Sequence, residues 1–229
     1  AFDDEYYKET YRSNEYQKIM KDLGEESHAY RVERFGKERV GIMGENIKSN
    51  SVKYLDIGCS TGFMVEAAKN EGWDAVGIDL NPSAIKFGQD RELELYEVSF
   101  EEFDCEKNSF DAISMFDVLE HLINPSRIFA RAVECLKTGG IIFLYVPNWN
   151  SASRYLLGEK AHFIWPTHHL NYYTPQTIND FVHKFNLTVE LIYTEGLDMI
   201  DYVWHQKEIE HSEVDSLEKI LDKLQFFIN

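Results

Sequence analysis

Tyr54-Leu55-Asp56-Ile57-Gly58-Cys59-Ser60-Thr61-Gly62 closes a short apolar run and leads directly into an amphipathic stretch over residues 63–70. Glycines between a strand and a helix let the backbone pass close to a ligand, and the helix start presents unpaired N–H groups. Dinucleotide-binding chains hold a pyrophosphate at this junction under a GxGxxG pattern. Here only Gly58 and Gly62 are present, with Ser60 between them, so that fingerprint is absent. An acid ends the strand instead. Asp56 repels a pyrophosphate and suits an ammonium group, met directly or through water.

Outward from this turn the pattern alternates strand and helix. Residues 52–57 predict a first strand and 63–70 a helix closed by Gly72. Residues 75–80 predict a second strand, and Asn81-Pro82 opens a helix over 83–91. A weaker third strand covers 93–98 and a fourth 110–116, followed by an amphipathic helix over 125–136. Gly139-Gly140 then turns the chain into the most apolar strand, 141–146. Repeated β-α units require right-handed crossovers, and strands without polar alternation are buried on both faces. The expected class is α/β, a doubly wound and mostly parallel sheet.

Asp79 stands 23 residues after Asp56, at the end of the second strand, where an acid accepts both hydroxyls of a ribose. An adenosine with a cationic amino-acid tail meets both acids' demands, and S-adenosylmethionine is such a molecule. Asp56-Ile57-Gly58-Cys59-Ser60-Thr61-Gly62 with Gly77-Ile78-Asp79-Leu80-Asn81-Pro82 resembles motifs I and II of class I methyltransferases, whose core is Rossmann-like. Phe110-Asp111-Ala112-Ile113 and Asp117-Val118-Leu119-Glu120-His121-Leu122 resemble the family's fourth-strand motif, and Leu136-Lys137-Thr138-Gly139-Gly140 the turn before its fifth strand. His168-His169-Leu170-Asn171-Tyr172-Tyr173-Thr174-Pro175 is similar to a subgroup related to the ubiquinone-biosynthesis O-methyltransferases.

The resemblance implies roles for particular residues. Asp56, Gly58 and Gly62, with Cys59 in the same loop, would meet the amino-acid end of S-adenosylmethionine, and Asp79 its ribose. Leu80 would flank the adenine, with Ser99, Phe100 and Glu101 on its other side. Phe116 and Asp117 would border the methionine portion. Core packing is the competing reading for Leu80 and Phe100. The product would be S-adenosylhomocysteine. The acceptor implied is a small polar molecule methylated at oxygen: a sugar, a cell-surface polysaccharide precursor or a secondary metabolite. A non-catalytic partner subunit on the same fold is the alternative.

A sulfonium already activates the methyl group, so the protein's task is alignment and exclusion of water. A hydroxyl acceptor also gains from a base, and His121, His168 and His169 are the candidates. Asp117, Glu120 and His121 have the i, i+3, i+4 spacing that places side chains on one helical face. A divalent ion or simply a capped helix start would use that spacing, and no metal is part of the expected site.

The remaining features bound the answer. A formal charge of −17 argues against nucleic acid, which needs a basic face. Cys59, Cys105 and Cys135 show no paired spacing, fitting a reducing compartment with neither disulfide nor zinc. No apolar run reaches the roughly 20 residues of a membrane span, and the acidic start is unlike a signal peptide; both fit a cytoplasmic protein. Residues 1–50 are expected as a helical cap or lid, with a helix over 31–47. Residues 51–196 are expected as the cofactor-binding core, with 149–173 as substrate loop, a helix at 174–185 and a sixth strand at 187–194. Residues 197–229 are expected as a helical tail, periodic over 214–228, that packs on the core or makes a homodimer contact. The resemblance also implies a seventh strand, for which the acidic tail has no pattern, so either the polypeptide stops short of it or the tail serves another end.

Overall fold

The computed structural model describes residues 13, 24–49 and 51–194, and the chain divides into two compact units, Ala1–Val146 and Pro147–Asn229. The helix expected over 214–228 lies outside the described residues.

In the first unit five parallel strands form one sheet in the order β3-β2-β1-β4-β5: β1 Lys53–Ile57, β2 Asp74–Asp79, β3 Leu95–Glu97, β4 Phe110–Phe116 and β5 Leu136–Tyr145. β1 lies between β2 and β4, pairing Asp56 with Gly77 on one side and with Ser114 on the other. Every residue of β4 is buried, and so is every residue of β1 after Lys53. That double-sided burial is why neither strand alternates in sequence.

Residues 24–31 are helical, and the chain continues through a π-turn at Val32–Gly36 into α1 (Lys37–Asn46). Helical structure therefore begins earlier than the apolar spacing at 31–47 suggested. At Gly36 an added Cβ would lie 2.7 Å from the Ala67 methyl, so only glycine permits this approach to α2 (Phe63–Asn70). α2 buries Phe63, Met64, Val65, Ala67 and Ala68 in one cluster with Val40, Met43 and Tyr54.

α3 (Pro82–Gln89) and α4 (Pro125–Cys135) begin with the same device. Asn81 Oδ1 accepts the N–H groups of Ser83 and Ala84 at 3.0 and 3.1 Å, and Asn124 Oδ1 accepts that of Arg127 at 3.1 Å. A proline follows each asparagine, where its missing N–H would have had no helical partner.

Two expectations for this unit change. The fifth strand starts at Leu136 and runs through both glycines instead of after them, with a register shift against β4 between Phe110 and Ala112. A Cβ on Gly140 would meet the Asp111 carbonyl at 2.9 Å, so this glycine permits the close approach of β5 to β4, whereas Gly139 has open space and a φ of +81°. Cys105 and Cys135, expected as separate thiols, are paired as a disulfide, and Cys59 is free. Their separation of 30 residues spans a strand and a helix, a return that no local spacing rule detects.

In the second unit the stretch 149–173 is not bare loop. It holds α5 (Ala152–Leu157) and a 3-10 turn at Gly158–Lys160. An isolated bridge pairs Asn148 with Tyr173, and the Trp149 N–H reaches Tyr173 O at 2.7 Å. α6 (Pro175–His183) opens with a capping box between Thr174 and Thr177. Residues 187–194, expected as a sixth strand, form no ladder among the described residues. Leu191, Ile192 and Tyr193 are exposed, and β-propensity without a partner strand and a face to bury specifies nothing.

Replacing Asn81 by Ala should lower stability by about 1 kcal/mol through loss of the α3 cap, measured by urea denaturation. A change under about 0.3 kcal/mol would show that Pro82 alone starts the helix.

Candidate functional site

The carboxyl ends of β1 to β4 collect every residue expected to touch the cofactor. Asp56 and the Gly58–Gly62 loop follow β1, Asp79 and Leu80 end β2, Ser99 to Glu101 follow β3, and Phe116 and Asp117 end β4. The strand order reverses between β1 and β4, and such a switch point leaves a crevice at the strand ends.

The loop is held by its own N–H groups. Gly58 and Cys59 both donate to Ile78 O at 2.9 Å, Gly62 donates to Cys59 O at 2.9 Å, and Ser60 donates to Asp79 Oδ2 at 2.8 Å. Those four donors already have protein acceptors, so the loop is poorly equipped to cradle a phosphate. Gly58 and Gly62 sit at φ +77° and +80° and Ser60 at +51°. A Cβ on Gly58 would strike Val118 at 2.5 Å, so the glycine is required by fit as well as by conformation. Cys59 is buried with its sulfur over Gly77, which leaves its thiol no route to a ligand.

Asp56 is 2 % exposed, and burial pushes its carboxyl up to about 7. The hydrogen bond from Ser114 draws it back, the nearby Asp79 charge pushes it up, and Tyr54 and Arg39 draw it down. Burial also raises Asp79, against the pull of backbone N–H groups from Ser60, Asn81 and Leu80. Its Oδ1 takes the Asn81 N–H at 2.8 Å and its Oδ2 the Ser60 N–H at 2.8 Å.

Sequence reasoning missed two arginines. Arg39 of α1 is 9 % exposed, with its guanidinium 4.5 Å from the Phe116 ring centre and 4.7 Å from that of Tyr145. Arg31 lies 4.2 Å over Phe63; burial lowers its pKa, while Asp117 and Asp56 pull it up. They place positive charge beside two acids from a segment whose pattern was read only as a cap. Nothing in the spacing signalled this.

His28 was missed as well. It is 1 % exposed, with Nδ1 2.8 Å from Thr61 Oγ1 and Nε2 2.9 Å from Glu66 Oε2. Its ring ties the helical residues 24–31 to the loop and to α2. Burial lowers its pKa more than Glu66 raises it, so the ring is neutral near pH 7. Nε2 then donates to Glu66, and Nδ1 accepts the Thr61 hydroxyl.

After β3, the Ser99 hydroxyl donates to Glu102 Oε2 at 2.6 Å, Phe100 is buried with Arg131 5.3 Å over its ring, and Glu101 is exposed. Asp117 has φ +54°, a left-handed conformation unusual outside glycine. Leu119–His121 is a 3-10 turn, not the α-helix that the spacing of Asp117, Glu120 and His121 assumed. Glu120 is 1 % exposed, and neither carboxyl oxygen has a hydrogen bond among the described residues. Burial first, and the Asp117 charge second, push this acid up to about 9. A Glu120 oxygen and a His121 ring nitrogen lie within 4.8 Å, but the carboxyl would have to lose its proton before binding a cation.

His168 and His169 belong to the second unit. His168 stacks on Trp165 at 3.8 Å, with Nδ1 2.9 Å from Thr167 Oγ1. His169 Nδ1 donates to Phe163 O at 2.7 Å, which makes Nε2 its basic nitrogen. Burial lowers the pKa of both rings, so both are neutral near pH 7.

Residues 11–192 match the family described as a methyltransferase domain. The ubiquinone biosynthesis O-methyltransferase of Thiobacillus denitrificans is 32 % identical over 122 residues, 49 % of this chain and 51 % of that one. The Pseudomonas putida protein of the same name is 30 % identical over 133 residues, 55 % and 57 % of the two chains. The chain thus spans about half the length of the curated relatives it matches. A SAM-dependent methyltransferase from Archaeoglobus fulgidus superposes with TM-score 0.56 at 19 % identity, covering 75 % of this chain and 83 % of that one. The plantazolicin methyltransferase BpumL in complex with SAH gives 0.62 at 18 %, covering 77 % and 72 %. At these identities the structural likeness is one of fold.

Between its ordinary value of 4.5 and about 9, folded Glu120 keeps a proton that the unfolded chain releases. Stability present below the unfolded value is therefore lost as pH rises through that window. Glu120→Gln should remove this loss and be more stable than wild type near pH 8 in denaturation curves. Parallel curves for the two proteins would refute a protonated Glu120.

Proposed function

The chain belongs to the methyltransferase-domain family, and we propose that it transfers a methyl group from S-adenosylmethionine to an oxygen of a small polar acceptor. The observation that carries this reading is the β1 loop: an acid at the strand end, and four loop N–H groups already bonded to protein oxygens. Such a loop disfavours a pyrophosphate and suits an ammonium at Asp56. Gly58 and Gly62 let the amino-acid end approach closely, and Asp79 at the end of β2 stands where an acid accepts ribose hydroxyls. Leu80, Phe100 and the Ser99–Glu101 turn would flank the adenine, and Phe116 and Asp117 the methionine portion.

The bound cofactor supplies a methyl group already activated by its sulfonium. The protein's part is to hold the acceptor oxygen in line with that methyl and to keep water out. Methylation of a hydroxyl oxygen would release that hydroxyl's proton, which the protein would have to accept. His169 Nε2 is our first choice to take it, because its Nδ1 proton is held by Phe163 O and the ring is neutral near pH 7. His168 and His121 are the other candidates.

The acceptors we propose are a sugar, a cell-surface polysaccharide precursor or a secondary metabolite. The relatives' name as O-methyltransferases supports oxygen as the methylated atom, and the charge of −17 supports an acceptor other than nucleic acid. None of the described helices is long and apolar enough to cross a membrane. A cytoplasmic setting belongs to the same proposal, because a charged cofactor does not cross a bilayer unaided.

Calorimetry should show S-adenosylhomocysteine binding in the micromolar range and its loss in Asp79→Ala. Failure of the intact protein to bind it or S-adenosylmethionine would sink the proposal. Once an acceptor is found, His169→Ala should lower kcat on the order of a hundredfold with cofactor affinity nearly unchanged. Unaltered turnover in both His168→Ala and His169→Ala would move the base to His121 or remove the need for one.

A further inference from the structure

Two central strands of an apolar sheet carry a chain of polar groups that packing does not require. Tyr54 and Asp56 lie two residues apart on β1, so their side chains leave the same face. Ser114 on β4 is the register partner of Asp56. Tyr54 Oη lies 2.5 Å from Ser114 Oγ, and Ser114 Oγ lies 2.5 Å from Asp56 Oδ1. Tyr54 and Ser114 are fully buried. Phe at 54 and Ala at 114 would fill nearly the same space without polar atoms to satisfy, so the hydroxyls need another explanation.

The direction of the chain follows from counting protons. A serine hydroxyl has one hydrogen, and an ionised carboxylate can only accept. Ser114 therefore donates to Asp56, and the Tyr54 hydroxyl, which also draws the Asp56 pKa down, has Ser114 or Asp56 as its acceptor. A hydrogen bond to a charged acceptor is shorter and stronger than a neutral one, and both hydroxyls favour the charged form of Asp56.

We propose that Ser114, backed by Tyr54, is a positioning residue that holds the Asp56 carboxylate in place for the cofactor's ammonium group. The proposal rests on the reading of Asp56 as the ammonium contact. The other groups facing Asp56 do not replace the relay. Asp79 on β2 opposes its ionisation, and Arg39 on α1 favours it less strongly than Ser114 does. Arg31 feels the Asp56 charge from the N-terminal helical stretch, and Cys59 is a buried thiol in the adjoining loop. Burial and the Asp79 charge push the Asp56 carboxyl up and Ser114, Tyr54 and Arg39 pull it back to about 7, with the Ser114 hydroxyl the largest of the three opposing contributions.

The test reads the carboxyl directly and the ligand separately. In the unliganded protein, carbon-13 NMR should show Asp56 of Ser114→Ala titrating at least about one pH unit above wild type. Tyr54→Phe, which keeps the ring and its packing, should shift it less and in the same direction. Ser114→Thr, which keeps the hydroxyl, should restore the wild-type titration. By calorimetry, Ser114→Ala should bind S-adenosylhomocysteine about tenfold more weakly near pH 7, with the deficit shrinking as pH rises and Asp56 ionises. Wild-type titration of Asp56 in both Ser114→Ala and Tyr54→Phe would overturn the proposal, as would a binding deficit that is the same at every pH. If the wild-type protein bound no S-adenosylhomocysteine, the functional reading would fall, and the NMR titration would still decide the relay.

Discussion

The carboxylate of Asp79 holds the site's two halves together. One oxygen takes the Ser60 N–H from the loop after β1, and the other takes the Asn81 N–H at the start of α3. Ser60 has φ +51°, a conformation that costs a non-glycine residue free energy and persists only where its surroundings impose it. Asp79 supplies that constraint from the neighbouring strand. Once Ser60 is held, Gly58 and Cys59 face Ile78 and the loop closes on Gly62. Burial works against the Asp79 charge, and the N–H groups that the charge orders are also what sustain it.

Around this link the site is a balance of buried charge. Asp56, Asp79 and Asp117 share one end of the sheet, and unrelieved they would drive one another neutral. Arg31 and Arg39 approach from the N-terminal helices, each stacked on an aromatic ring that keeps it oriented. His28 fastens the same segment to Thr61 and Glu66. The helical stretch before β1 thus supplies the cofactor end with countercharge and a mechanical tie. Glu120 lacks such relief, and burial leaves it protonated.

Local chemistry and long-range packing separate clearly in what the sequence revealed. Asn81-Pro82, Asn124-Pro125 and Thr174-Pro175 each start a helix in the structure, because a cap bonds within three residues and needs no other part of the chain. Residues 187–194 have a strand-like composition yet join no strand ladder among the described residues, because a strand needs a neighbour with a free edge. The pairing of Cys105 with Cys135 and the course of β5 through Gly139-Gly140 belong to the same class. Both follow from where the chain returns in space.

By itself, the sequence determined the α/β class, the parallel order of strand and helix, and the loop from Asp56 to Gly62. Those features depend on periodicity, glycine and the residue that ends a strand, all local properties of a chain. Tertiary structure alone decided that Ser114 and Tyr54 stand behind Asp56 and that Asp79 grips Ser60. It alone decided that Arg31, Arg39 and His28 serve the site. The reason is physical: a hydrogen bond across 19 to 60 residues acts only after the sheet has set its register. Before that, a serine in a strand is indistinguishable from any other small core residue.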